Sequence, residues 1–206
     1  LHLIFPDGSL AVTEQLYQDA PSLRFHDEIA QRALCRMFEN YPEGRTLRVL
    51  EIGAGTGGMT AYVLPKLPAD RTEYVFTDLS NHFFVKAQEK FSDFPFVTYK
   101  RLDIENNPLE QEFEPHSFDV IIASQVLHAT RDLRETLENA KSLLSSHGVI
   151  VLLEAVRPTR WIDMVFSLTD GWWRFSDTEL RPNYPLLTLA KWTRLFEDLG
   201  FVEVKE

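Results

Sequence analysis

Residues 49–58 read Val-Leu-Glu-Ile-Gly-Ala-Gly-Thr-Gly-Gly, and no other stretch constrains the fold of this chain as tightly. An apolar run carrying a carboxylate at Glu51 ends in four glycines, Gly53, Gly55, Gly57 and Gly58, and a helix-compatible segment follows at once. Glycines at a strand-to-helix turn let the backbone bend sharply and let a ligand approach the main chain. The segment reads as the nucleotide-contacting corner of an open α/β sheet; the competing reading is a tight glycine turn with no ligand.

The remaining rhythm agrees with a sheet of that kind. Strands are expected at Leu47–Ile52, Tyr74–Thr77, Phe96–Lys100, Phe118–Ala123 and Val149–Leu153, the last two as apolar runs buried on both faces. Helices are expected near 57–67, from Asn81 to Phe91, and where Leu133, Leu137, Ala140 and Leu144 recur, with Gly148 as the stop. Strands alternating with helices predict a parallel sheet covered on both sides. Before it, residues 1–45 form a helical preface with a turn at Pro6-Asp7-Gly8-Ser9. Its helix starts near Ser22, carries Ile29, Ala33, Leu34, Met37 and Phe38 on one face, and ends at Pro42 and Gly44. The core is expected over 46–206. An insertion at about 159–187, holding Trp161, Trp172, Trp173 and the Arg181-Pro182-Asn183-Tyr184-Pro185 turn, interrupts it where open sheets bind ligands. A helix at Leu189–Leu199 and a strand at Phe201–Lys205 are expected to follow.

Bulk properties narrow the classes. The 206 residues fit one domain, and 31 acidic against 21 basic residues (net charge −10) argue against nucleic acid as the partner. The apolar runs fall short of membrane-spanning length, and the first residues lack a signal peptide's basic start. A single cysteine, Cys35, excludes an internal disulfide and suits a reducing, cytoplasmic setting; on a helical stretch it reads as a small buried hydrophobe. No histidine pair has metal-ligand spacing, so no metal site is expected.

The loop admits two ligands. Gly53, Gly55 and Gly58 fit the dinucleotide fingerprint, and the same residues fit the acidic-x-G-x-G-x-G loop of methyltransferases using S-adenosylmethionine (SAM). Glu51 favours SAM, since a carboxylate suits the cationic amino end of its methionine moiety and would repel a pyrophosphate. Asp78, ending the next strand, suits a ribose under either reading. Asp103 is placed to accept from an adenine amino group while Ile104 packs on the ring, or else is simply a turn residue. His128 follows the fourth strand, after Ala123-Ser124-Gln125-Val126-Leu127, and Glu154 ends the fifth. If those strands are adjacent, imidazole and carboxylate can meet and make a base; otherwise they are a helix-start histidine and a strand-end glutamate without partnership. Trp172 and Trp173 are candidates to shape an acyl pocket or face the sulfonium, or are core aromatics of the insertion.

Taken together, these segments resemble the C-methyltransferase domains embedded in polyketide synthases and hybrid synthetases, over nearly the whole chain. The markers are Leu3-Ile4-Phe5-Pro6-Asp7-Gly8-Ser9, the 50–58 loop, Val126-Leu127-His128-Ala129-Thr130, Gly171-Trp172-Trp173 and Pro185-Leu186-Leu187. The family often has an aromatic-Asn pair early in the preface, where this chain has His26-Asp27. The resemblance implies a Rossmann-like class I methyltransferase sheet, with the helical preface and the insertion forming a lid. It implies SAM held by Glu51, Gly53, Ala54, Gly55, Gly57, Asp78, Leu79, Asp103, Ile104 and Ser124. It also implies His128 as base, Glu154 as its orienting carboxylate, and Trp172 and Trp173 at the substrate. The implied substrate is a β-ketoacyl chain on the phosphopantetheine of an acyl carrier protein, methylated at its α-carbon beside neighbouring synthase domains. The alternatives are a small-molecule O-methyltransferase, a nicotinamide oxidoreductase, or an inactive spacer that keeps the fold.

Overall fold

A computed structural model describes residues 21–39 and 41–205; the 6–9 turn and the 3–9 marker lie outside them. Five parallel strands are β1 (Leu47–Ile52), β2 (Thr72–Asp78), β3 (Val97–Arg101), β4 (Phe118–Ser124) and β5 (Leu144–Leu153), in the order β3-β2-β1-β4-β5. The chain reverses its winding between β1 and β4, so the crevice for a ligand opens at their carboxyl ends.

Alternation along the strands sends side chains to two separate cores. Val49, Tyr74, Phe76, Val120 and Ile122 pack with residues of α1 (Pro21–Glu39), α2 (Gly58–Val63) and α3 (His82–Lys90). Leu50, Ile52, Ile121 and Ala123 pack with residues of α4 (Leu133–Leu143) and α6 (Leu189–Asp198). α5 (Arg160–Phe166) lies in the insertion. No helix among the described residues is long and apolar enough to cross a membrane.

Four expectations are corrected. Leu144 opens β5 instead of continuing α4, and Gly148 lies inside that strand rather than stopping a helix. A Cβ on Gly148 would sit 2.7 Å from Leu144 Cδ1 and 3.0 Å from the Phe118 carbonyl, so glycine serves a close approach beside the register shift at Phe118/Val120. β5 is an edge strand and its Val149 is exposed, unlike the strand buried on both faces that was expected. Phe201–Lys205 forms no strand: Gly200, at φ +77°, turns the chain and Phe201 packs edge-on against Phe196 of α6. In α1 the buried face is Asp27, Ala30, Leu34 and Phe38, with Ile29 and Ala33 outside. That face is one residue's rotation from the expected one, a step the apolar spacing alone does not resolve.

Candidate active site

The strand order makes β4 and β5 neighbours, pairing Ser124 with Leu153. Beyond Ser124 the backbone turns sharply through Gln125, a non-glycine residue at φ +53° whose N–H donates to the Leu153 carbonyl. This turn aims successive N–H groups at the carboxylate ending β5. Glu154 Oε1 accepts from the backbone of Val126 (3.0 Å), Leu127 (2.7 Å) and His128 (3.3 Å). Its Oε2 lies 2.7 Å from His128 Nδ1. A carboxylate only accepts, so the proton belongs on Nδ1, and Nε2 is the basic nitrogen. The Glu154 side chain is 2% exposed, and these four donors compensate its burial.

The insertion folds over this turn. Trp172 sits edge-on to the imidazole with ring centroids 5.3 Å apart, stacks on Phe166 of α5 and meets Tyr184 edge-on. Tyr184 in turn donates its hydroxyl proton to Asp163. Trp172 is buried; Trp173 is half exposed, donates its indole N–H to Ser167 O (2.9 Å) and contacts Tyr184 rather than His128.

On the other side of the crevice, the glycine loop is shaped by close approach. Gly53 has φ +61°, and a Cβ there would fall 2.3 Å from Val126 Cγ2, so this glycine lets the loops after β1 and β4 touch. Gly57, at φ +73°, caps α2 where a Cβ would meet the Phe91 ring at 2.6 Å. Ala54 is buried, its N–H bound to Thr77 O. Asp78 Oδ2 accepts from Gly55 N (3.0 Å) and Oδ1 from Ser80 N (2.9 Å), tying the end of β2 to the loop. Leu79 beside it is exposed. Asp103 is spent partly on its own turn, accepting from Glu105 N and Asn106 Nδ2, and Ile104 is buried next to it. Ser124 is half-buried at the end of β4.

Glu51 is buried at the root of the loop. Thr60 Oγ1 and Tyr74 OH both donate to its Oε2 at 2.5 Å, yet burial lifts its pKa to about 7. The charges of Asp27 and Asp78 push in the same direction. Asp27 reaches about 6, raised by burial against the opposing charge of His26, and burial also raises Asp78. Glu51 thus feels the charges of two further carboxylates, and hydroxyl and backbone donors are the partners that Glu51 and Asp78 are given. Such a set of carboxylate acceptors fits a ligand carrying an ammonium and ribose hydroxyls, and repels a polyphosphate.

Known proteins similar to this chain are methyltransferases and synthases that contain such domains. Residues 50–150 match a methyltransferase domain model. The chain is 36% identical over 208 residues to polyketide synthase PksR of Bacillus subtilis (strain 168), an alignment spanning 97% of this chain and 8% of that synthase. It superposes on the CurJ carbon methyltransferase with a TM-score of 0.93 at 47% identity, covering 97% of this chain and 53% of that one. The chain is a methyltransferase domain similar to the carbon-methyltransferase domains of polyketide synthases. This methyltransferase also resembles trans-methyltransferase CalH, solved in complex with S-adenosylhomocysteine (SAH), with a TM-score of 0.76 at 36% identity over 96% of this chain and 57% of that one. Its methyltransferase match and fold are those of SAM-dependent enzymes, and the carboxylates around the glycine loop suit such a ligand. The domain spans about half the length of the solved carbon methyltransferases and a small fraction of the curated synthases it matches.

One residue of this methyltransferase was missed as a site residue in the sequence. The Arg181 side chain is fully buried, with Nε 2.6 Å from Asp177 Oδ1. Its Nη1 donates to His128 O (2.9 Å), and its Nη2 to Thr130 O (2.7 Å) and Arg131 O (3.0 Å). Asp177 Oδ2 also accepts from Leu133 N, at the start of α4. The guanidinium fork therefore clamps the histidine turn to the insertion. Only the Arg181–Asp177 spacing of four residues hinted at a pair, and nothing in it signalled burial. Among the described residues no group of three His, Cys, Asp or Glu is placed to hold a metal.

Proposed function

We propose that this domain methylates the α-carbon of a β-ketoacyl thioester presented by an acyl carrier protein, with His128 as the base. The observation that carries this reading is the 2.7 Å contact between His128 Nδ1 and Glu154, whose other oxygen is fixed by backbone N–H groups. That arrangement holds the tautomer and leaves Nε2 as the nitrogen that can accept a proton. Two flanking carbonyls acidify the α-proton, so a well-placed imidazole is sufficient to take it. SAM, when bound, supplies an electrophilic methyl group on its sulfonium. The glycine loop, Asp78, Leu79, Asp103, Ile104 and Ser124 are the groups proposed to hold it, with Glu51 toward its amino end. The preface (residues 1–45) and the 159–187 insertion are proposed to act as a lid over the 46–206 core, excluding water and positioning the chain. Trp172 and Trp173 would face the acyl chain. The partners are the carrier protein and neighbouring synthase domains, in the reducing environment of the cytoplasm that suits a lone cysteine.

Intact-protein mass spectrometry of a β-ketoacyl carrier protein incubated with SAM and the domain tests this. The expected result is a gain of one methyl on the acyl chain. Methylation of a free phenol with none on the carrier-bound chain would instead establish an O-methyltransferase.

A further inference from the structure

The indole Nε1 of Trp172 is buried and has no hydrogen-bond acceptor among the described residues. Leaving a buried donor without an acceptor is costly, and such groups are rare enough to need a cause. This one belongs to the ring packed against His128, 5.3 Å between centroids.

Most of the other donors around that imidazole are committed elsewhere. The N–H groups of Val126, Leu127 and His128 all go to Glu154. Arg181 spends its guanidinium on Asp177 and three backbone carbonyls. Trp173 donates to Ser167, Tyr184 to Asp163, and Thr130 Oγ1 to Leu127 O. Proton abstraction by His128 leaves negative charge on a carbonyl oxygen of the substrate, and that oxygen needs a donor in a water-poor site.

We propose that Trp172 Nε1–H is a catalytic donor to the enolate oxygen of the carrier-bound β-ketoacyl chain. The proposal rests on the carbon-methyltransferase reading above. The step balances: the α-proton passes to His128 Nε2, the electron pair of the C–H bond spreads onto the carbonyl oxygen held by Trp172, and the same pair then forms the new carbon–methyl bond. The sulfonium–methyl bond breaks with its electrons remaining on sulfur, giving a neutral thioether, and the imidazolium returns its proton to solvent. An indole N–H does not ionise in the working range, so it remains a donor throughout.

The experiment follows α-proton exchange from the β-ketoacyl carrier protein into D2O with SAH in place of SAM, beside methyl transfer with SAM. Trp172→Phe is expected to slow both on the order of 10²-fold with SAM affinity unchanged by calorimetry. Replacing Trp172 by 3-benzothienylalanine, which keeps the ring shape and substitutes sulfur for N–H, is expected to give the same loss. Trp192 carries another unpaired indole N–H, but it packs in the apolar core on Phe196; Trp192→Phe is expected to leave the exchange rate alone. Wild-type rates in the benzothienyl variant would overturn the proposal and assign Trp172 to packing, whatever Trp172→Phe does. A wild-type protein that exchanges no α-proton and transfers no methyl would overturn the carbon-methyltransferase reading, and the proposal with it.

Discussion

The two sides of the crevice handle buried carboxylates in opposite ways. On the β4–β5 side every one is compensated: Glu154 has three backbone donors and an imidazole, and Asp177 has Arg181 and the Leu133 N–H. On the β1–β2 side Glu51 has two hydroxyls, Asp27 and Asp78 add like charge, and the Glu51 and Asp27 pKa values rise to about 7 and about 6. One half is a finished machine part whose geometry is set by the chain itself. The other is electrostatically incomplete, and a cationic ligand such as the proposed SAM would complete it. Position on the rim is shared; what separates the halves is whether the chain brings its own donors.

The largest effect is expected from disturbing the finished half at its charge. Glu154→Gln keeps an acceptor for the backbone N–H groups but presents an amide to Nδ1, favouring the wrong tautomer. Methyl transfer should fall on the order of 10²–10⁴-fold with SAM affinity intact, measured by single-turnover kinetics and calorimetry. Arg181→Met next removes one partner of a buried pair and leaves Asp177 charged. The expected cost is about 3–5 kcal/mol, read as a lowered denaturation midpoint.

The incomplete half should show itself through pH. The folded pKa of Glu51 lies near 7 against an ordinary 4.5, so the folded state binds the extra proton between those values. Stability of the ligand-free protein should therefore fall as pH rises from about 4.5 to about 7, with Asp27 contributing the same sign up to about 6. SAM should flatten the slope, because an ammonium stabilises the ionised carboxylates, and Glu51→Gln should remove most of it. Thermal melts from pH 4.5 to 8, with and without SAM, check both points. A smaller loss, about 1–3 kcal/mol, is expected for Gly53→Ala, where a Cβ meets Val126 at left-handed φ. Because that residue joins the two sides, its variant should weaken SAM binding and slow transfer together.

The fold was legible because a parallel sheet writes itself as apolar runs and a glycine turn, features set by local sequence. The meeting of His128 and Glu154 needed one further fact, the adjacency of β4 and β5, which topology supplies. Leu144 misled because it continues the spacing of Leu133, Leu137 and Ala140 while being equally buried at the head of a strand. Arg181 and Asp27 were unreadable for a common reason. A charged residue in a sequence carries no mark of burial, and each is buried only because groups distant in the chain converge on it. Asp27 even stands on the face of α1 that apolar counting turned outward. The sequence therefore disclosed the rim and its candidates, and not the partners that decide how each candidate is charged.

The central claim, that Glu154 makes His128 the base, is tested most directly by methyl transfer to a β-ketoacyl carrier protein in the His128→Ala variant, with SAM binding measured on the same sample. The account predicts intact SAM binding and loss of the methyl gain seen with wild type. Transfer persisting at the wild-type rate in that variant would contradict it.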